Sequence, residues 1–367
     1  MQNTPWSGDN RHLVALQTTF QDRMPRPGEA AAVVLVDAAA PHRVEPIEQS
    51  RAWNFQQGTM FYWNPAAPDR ELFFNDRDEK TQEVFTVRYD IAARKRIREY
   101  RFSDTPFGNG GVAQRGGYFL GLNYGRLARL RLVTGYPGAR DWTIGQAAPE
   151  RDGIFRVDIE SGEKRLLVSF AQLAAAIEPV APHSKGRALF INHTLGNRDN
   201  DRIYFYVRAD FDVGPRRVDV PCSIRPDGTR LLVHSLHIGG HPEWDLGTRL
   251  IGSHDGKLVL YDVDARTIVG TIGDSHVFPD PGGDTALSPD GHRVVNGYRQ
   301  GTDNLYVVYD RRDGSWARTP GFSHVGFTSG ELRVDGSPSW NRSNDAFQFP
   351  AIAADGTRQM FLARIVT

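Results

Sequence analysis

The sequence predicts an all-β fold, a seven-bladed β-propeller. Three observations predict it. Apolar runs of strand length alternate with turn residues, helix signals are scarce, and a Trp-centred template returns at intervals of about fifty residues. The punctuation comes from 37 glycines and 22 prolines, which break the chain too often for helices to dominate. Asp-Gly turns close at Asp227-Gly228, Asp255-Gly256, Asp290-Gly291, Asp313-Gly314, Asp335-Gly336 and Asp355-Gly356, each beside a β-rich run that reads as a hairpin arm. Above the hairpins sits the template: MFYWN from Met60, HPEWD from His241 and SPSWN from Ser337 place a Trp three residues after a variable first position. DTALSPDG from Asp284 fits with Leu287 in place of Trp, and HTLGNRD from His193 fits more loosely. The longer gap between Met60 and His193 leaves room for a unit around 112–123, and an N-terminal unit over 13–36 brings the count to seven. A pair of β-sandwiches shares the strand-rich pattern and is the competing architecture. The one helical stretch, SFAQLAAAI over 169–177, stops before Pro179 and reads as a short insertion on a connection between blades, outside any core. The chain 1–367 is therefore expected to be a single propeller domain with that insertion.

Composition narrows the function classes. Hydrophobic residues make up 40% of the chain, enough for a core. Basic and acidic side chains both total 44, so no net field draws in nucleic acid or anionic lipid, and neither is an expected partner. No apolar run reaches membrane-spanning length and the first ten residues are polar, so the chain as written reads as cytoplasmic, or as periplasmic or secreted if a leader has been removed. Cys222 is the lone cysteine, which excludes an internal disulfide and any thiolate metal cluster. A metal would have to use His and carboxylates. Composition says nothing about oligomeric state.

In a propeller the innermost strand of every blade runs the same way along the axis, so equivalent first positions converge on one mouth of the channel. Here they are Met60, His193, His241, Asp284 and Ser337, with Gly110 or Gly111 as the sixth. Two imidazoles and a carboxylate meeting there suit a Mn, Zn or Ca site, an acid/base pair without metal, or the polar lining of a water-filled channel.

The order of segments resembles the oligogalacturonate lyase group of seven-bladed propellers. The resemblance is carried by QQGTMFYWNP with FFNDRD, NYGRLARLR, INHTLGNRDNDRIYFY, HPEW, SPDG, and SPSWNRSNDAFQF with RQMFLARI, and it covers nearly the whole chain. It implies an enzyme that cleaves an acidic, uronate-containing oligosaccharide by β-elimination, with a divalent metal (Mn, Ca or Zn) neutralising the substrate carboxylate. The family repeats histidine at the blade starts. This chain keeps His193 and His241 and has Asp284 and Ser337 where further histidines are expected. The implied metal set is His193, His241 and Asp284, with His276 on the loop DSHVFPDPGG as a replacement ligand.

β-Elimination beside a uronate needs a cation on the carboxylate, a base for the proton and a donor for the leaving oxygen. The expected catalytic residues are His193, His241, Tyr124, Arg126 and Arg129, the two arginines splaying from one element. The expected substrate contacts are Arg77, Arg208, Tyr298, Arg299 and Trp142, the last as a sugar platform in a loop outside the repeat. Arginine greatly outnumbers lysine, so most arginines also have an ordinary role as solvated or inter-blade partners. The alternatives are a carbohydrate-active hydrolase or isomerase using Asp284 with a histidine, and a non-catalytic propeller that binds glycan or protein.

Overall fold

The computed structural model describes residues 4–366. Antiparallel meanders follow one another along the chain. In the first, Trp6 bridges to Leu13 ahead of strands His12–Gln17, Ala31–Asp37 and Val44–Ser50. The second holds Tyr62–Trp63, Glu71–Arg77, Val84–Asp90 and Lys95–Tyr100. The third holds Gly108–Val112, Tyr118–Leu122, Gly153–Asp158 and Lys164–Ser169. The fourth holds Phe190–Gly196, Ile203–Ala209, Val218–Ile224 and Leu232–Val233.

A nine-stranded sheet comes next and contains two meanders. Gly239–Trp244, Arg249–His254, Lys257–Asp262 and Thr267–Thr271 form the fifth; Asp284–Leu287, Arg293–Gln300, Asp303–Asp310 and Trp316–Arg318 form the sixth. They join through one parallel pairing of inner strands, His241 with Asp284. The last sheet has three strands, Ser339–Trp340, Ala346–Ile352 and Arg358–Arg364.

The inner and middle strands are buried on both faces, as LFFND in the second meander shows, whereas outer strands alternate: in KRIREY Lys95, Ile97 and Glu99 are exposed while Arg96 and Arg98 are half-buried. Neighbouring meanders share apolar clusters. Val14, Val33 and Leu35 of the first pack on Trp63 and Phe74 of the second, and Ala286, Val295 and Tyr306 of the sixth pack on Phe347 and Phe349 of the last. The repeated tryptophans lock these contacts. Indole Nε1 of Trp63, Trp244 and Trp340 donates to the carbonyls of Pro5, Leu195 and Ala286 at 2.9, 2.9 and 3.1 Å, in each case on the innermost segment of the preceding meander.

Two helices decorate the third meander. The connection after Tyr118–Leu122 carries α1 (Tyr124–Leu130), capped by Asn123, whose side chain accepts from the Arg126 N–H. The helix expected over 169–177 is α2 (Phe170–Ile177), begun by a capping box between Ser169 and Gln172. It is more than decoration. Phe170, Leu173 and Ile177 recur at helical spacing and are buried in the cluster between the third and fourth meanders, so the expectation that this helix lies outside the core is corrected. Among the described residues no helix is long and apolar enough to cross a membrane.

Candidate active site at the channel mouth

The ladder slips where inner strands reach the mouth. Register shifts fall between Asn109 and Gly111, between Asn192 and Leu195, and between Gly239 and Glu243. A bulge sets two residues against one and re-aims a side chain, here at Gly110, His193 and His241. The backbone turns left-handed at the same level: φ is 55° at Met60, 61° at His193 and 37° at Ser337. Gly240 does so at 72° beside His241, and a Cβ there would stand 2.7 Å from the Gly283 carbonyl. Side chains at such positions cost on the order of 1 kcal/mol or more of strain, which the surrounding sheets sustain.

His193 and His241 meet edge to face, with ring centroids 5.1 Å apart. Nδ1 of His241 donates to Oδ1 of Asp284. The other carboxylate oxygen accepts the Ser337 N–H at 2.6 Å and its hydroxyl at 3.2 Å. The blade-start set thus converges, but Asp284 acts on His241 with both oxygens engaged. The two imidazoles are driven in opposite directions. The Asp284 charge raises the pKa of His241 and favours its cation. Burial pushes His193 well below the usual range, aided by His241, Arg208 and Arg131, so this ring is neutral. A partly open cavity of about 60 Å³ lies beside His193, lined in part by Gln57, Met60, Gly111 and Tyr124.

Two guanidiniums act electrostatically on His193. Arg208 donates to Asp219 at 2.6 Å and to Asn192 Oδ1 at 2.7 Å, and lies over Tyr206 and Phe211. Arg131, which ends α1, stacks on Phe211 at 4.2 Å. Its Nε is buried with no hydrogen-bond partner, and its nearest carboxylate, on the largely exposed Asp212, stands 3.9 Å away. Burial, with Arg208 and Arg333 adding to it, pushes its pKa down to about 10. The sequence motif NYGRLARLR contains Arg131, but spacing singled out its neighbours.

The other expected contacts are committed elsewhere. Arg126 is buried and gives its donors to Thr143 Oγ1 and the carbonyls of Leu189, Gln146 and Ala147. Arg129 pairs with Asp141 at 2.6 Å. Tyr124 stacks on Tyr136 and donates to the Asn109 carbonyl, and burial raises its pKa far out of a base's range. Arg77 bonds the Pro137 carbonyl, and Arg299 the carbonyls of Thr328 and Val334. Tyr298 is buried in the cluster between the fifth and sixth meanders. Trp142 donates to the Pro106 carbonyl and packs on the second–third cluster, anchoring its loop. His276 is corrected as a ligand: it is exposed and meets Trp316 of an outermost strand edge to face, with ring centroids 5.3 Å apart. Among the described residues no group of three His, Cys, Asp or Glu side chains could hold a metal ion, so the ligand set His193, His241 and Asp284 is not assembled as one.

No family model and no curated protein matches the chain. Solved structures do. An oligogalacturonate lyase in complex with manganese aligns over 99% of this chain and 88% of its own, with a TM-score of 0.65 and 14% identity. The Myceliophteria thermophila Cps50 (Swd1) beta-propeller domain aligns over 100% and 97%, with a TM-score of 0.53 and 13% identity. At these identities the likeness is one of fold, and it makes the chain an all-β propeller, distantly related in structure to the lyase.

Proposed function

We propose that the mouth is the catalytic centre of a lyase that cleaves a uronate-containing saccharide by β-elimination, on a single-domain propeller of seven blades. The observation that carries this reading is Arg131, whose buried Nε makes no hydrogen bond among the described residues and whose charge acts on His193, together with the contact of His193 with a His241 that Asp284 favours as the cation. Arg131 takes the substrate carboxylate and offsets the charge that develops when the neighbouring proton leaves. His193, neutral, accepts that proton. Its basicity rises when it is needed, because the arriving carboxylate offsets the Arg131 and Arg208 charges that hold its pKa down. His241, protonated against Asp284, donates to the leaving glycosidic oxygen. Tyr124 has no part in this scheme, since its phenol stays protonated.

The lyase neighbour holds manganese. His193 and Nε2 of His241 offer two imidazole donors, and a carboxylate behind one of them is how metal-bound histidines are oriented. A third His, Cys, Asp or Glu ligand is missing among the described residues, so the donor set is incomplete for a divalent cation and no step is drawn through one.

The test is near-ultraviolet absorbance from the new double bond, with oligogalacturonate and glucuronate-containing glycans, with and without added Mn, Ca or Zn. Arg131→Ala and His193→Ala are each expected to lower the rate by at least about a hundredfold. Cleavage without absorbance would replace elimination by hydrolysis. No turnover of any uronate glycan would leave a binding propeller as the better account.

A further inference from the structure

Every neighbouring pair of meanders along the chain shares an apolar cluster, but among the described residues none joins the last sheet to the first. Between them lies a cavity of about 1020 Å³. The side chains explain the gap. Phe347 and Phe349 turn towards the sixth meander, so strand alternation turns Gln348 and Pro350 towards the first; Val33 and Leu35 turn towards the second, leaving Val34 and Val36 to face the gap. At these four positions the facing strands bring no aromatic ring into the gap. The tryptophan lock is also missing among the described residues: Trp6 occupies the repeated position in the first meander, and its buried Nε1 has no partner there. Among the described residues, hydrogen bonds between the two units lie at their ends. Thr4 Oγ1 donates to the Trp340 carbonyl at 2.9 Å at one end, and Gln21 Nε2 donates to the Gly356 carbonyl at 2.7 Å at the other.

The slot opens onto the mouth. Ser337, which holds Asp284, lines it, and Gln57 lines both the slot and the small cavity beside His193. Arg358 sits in its wall, its guanidinium 4.7 Å from the Phe55 ring and 5.0 Å from Phe327. Nη2 bonds the Leu332 carbonyl, Nε is buried without a partner, and Nη1 makes no hydrogen bond among the described residues. The nearby Asp335 is engaged by Arg333 at 2.9 Å. A desolvated, under-bonded guanidinium between aromatic rings is a receptor for a carboxylate, which bonds it bidentately. The volume lies at the top of the range for ligand pockets, roughly 300–1,000 Å³, and exceeds what one sugar needs.

We propose that the slot between the first and last sheets is an extended subsite for the sugars flanking the reacting unit, in which Arg358 binds a second carboxylate of a linear acidic saccharide. The inference rests on the lyase reading above for the nature of its ligand. It makes Arg358 a residue that sets chain-length preference.

The test compares di-, tri- and tetragalacturonate on the full-length protein. Wild type is expected to gain in kcat/KM from dimer to trimer. Arg358→Met, which keeps the stacked stem, is expected to lose at least about tenfold in kcat/KM on trimer and tetramer, through KM, and to match wild type on the dimer. Arg358→Lys should recover part of the loss. Val36→Trp, which fills the slot, should give the same length-dependent defect should Arg358→Met fold poorly. Calorimetry of trigalacturonate on His241→Ala, with and without Arg358→Met, reads binding apart from turnover. An active wild type without length dependence, or equal losses at every length in both variants, would overturn the slot and leave the lyase reading standing. A wild type inert on all three, with no binding by calorimetry, would overturn the lyase reading itself.

Discussion

Asp284→Asn removes a charge from the histidine centre and almost no volume. The native carboxylate accepts from His241 Nδ1 and from both donors of Ser337, and an amide can serve only one side of that set. Removing one partner of a buried ion pair costs about 3–5 kcal/mol; the His241 side chain is 28% exposed, so water takes up part of the loss and about 2–3 kcal/mol is expected. The pH dependence has a definite sign. The folded pKa of His241 is raised, so its contribution is full below the unfolded value of about 6.5 and disappears as pH climbs through the raised one. The folded pKa of Asp284 is lowered, so its contribution is present above about 3.9 and is lost only as pH falls through the lowered value. The stability gap between wild type and variant should therefore be widest from about pH 4 to 6.5 and narrower at pH 9. Urea unfolding at pH 5.5 and 9, with an NMR titration of the His241 ring, measures both effects. Equal urea midpoints at both pH values, with His241 titrating as in wild type, would refute the pairing as the cause of the histidine's charge.

Three further outcomes follow from the site and its supports. Arg131→Met should raise the pKa of His193 only part of the way towards its ordinary value, because burial is the larger cause of its depression; an NMR titration of His193 checks this. Asp152 is buried beside Asn123, and burial pushes its pKa up to about 6. A raised carboxyl destabilises once it must ionise, so wild type should lose on the order of 3 kcal/mol as pH rises from about 4 to above 6, and Asp152→Asn should flatten that slope in urea titrations. Trp244→Ala removes a fully buried ring and its bond to the Leu195 carbonyl and should cost about 3–5 kcal/mol, read as a lower urea midpoint.

The fold was legible where one residue type has one job. The Trp of MFYWN, HPEWD and SPSWN marks the inner strand because each indole reaches back to the preceding meander; Trp6 in NTPWS fits the same template by position, but its indole makes no such bond among the described residues. The convergence of His193, His241, Asp284 and Ser337 was legible for the same reason. What the sequence could not carry was the commitment of donors. Arg126 and Arg129 look splayed for a ligand, yet α1 lies against the connection over 131–153, whose carbonyls and Asp141 take up their donors. Two residues on, Arg131 leaves the helix and meets only a ring and a distant carboxylate, a difference that depends on tertiary contacts alone. His276 looked near Asp284 in sequence, but the turn beginning at Asp274, which binds its N–H, keeps it beside the outermost strand.

The left-handed residues at the mouth have a consequence for how this surface can change over time. At Met60, His193 and Ser337 glycine would relax the backbone, as it already does at Gly240. Drift towards stability alone would therefore erase these side chains. Variants gathered for thermal robustness alone should take glycine at these positions sooner than lose side chains in the sheets. The rim then serves as a register of use: whichever of the three positions first tolerates glycine without loss of activity is the one that chemistry needs least.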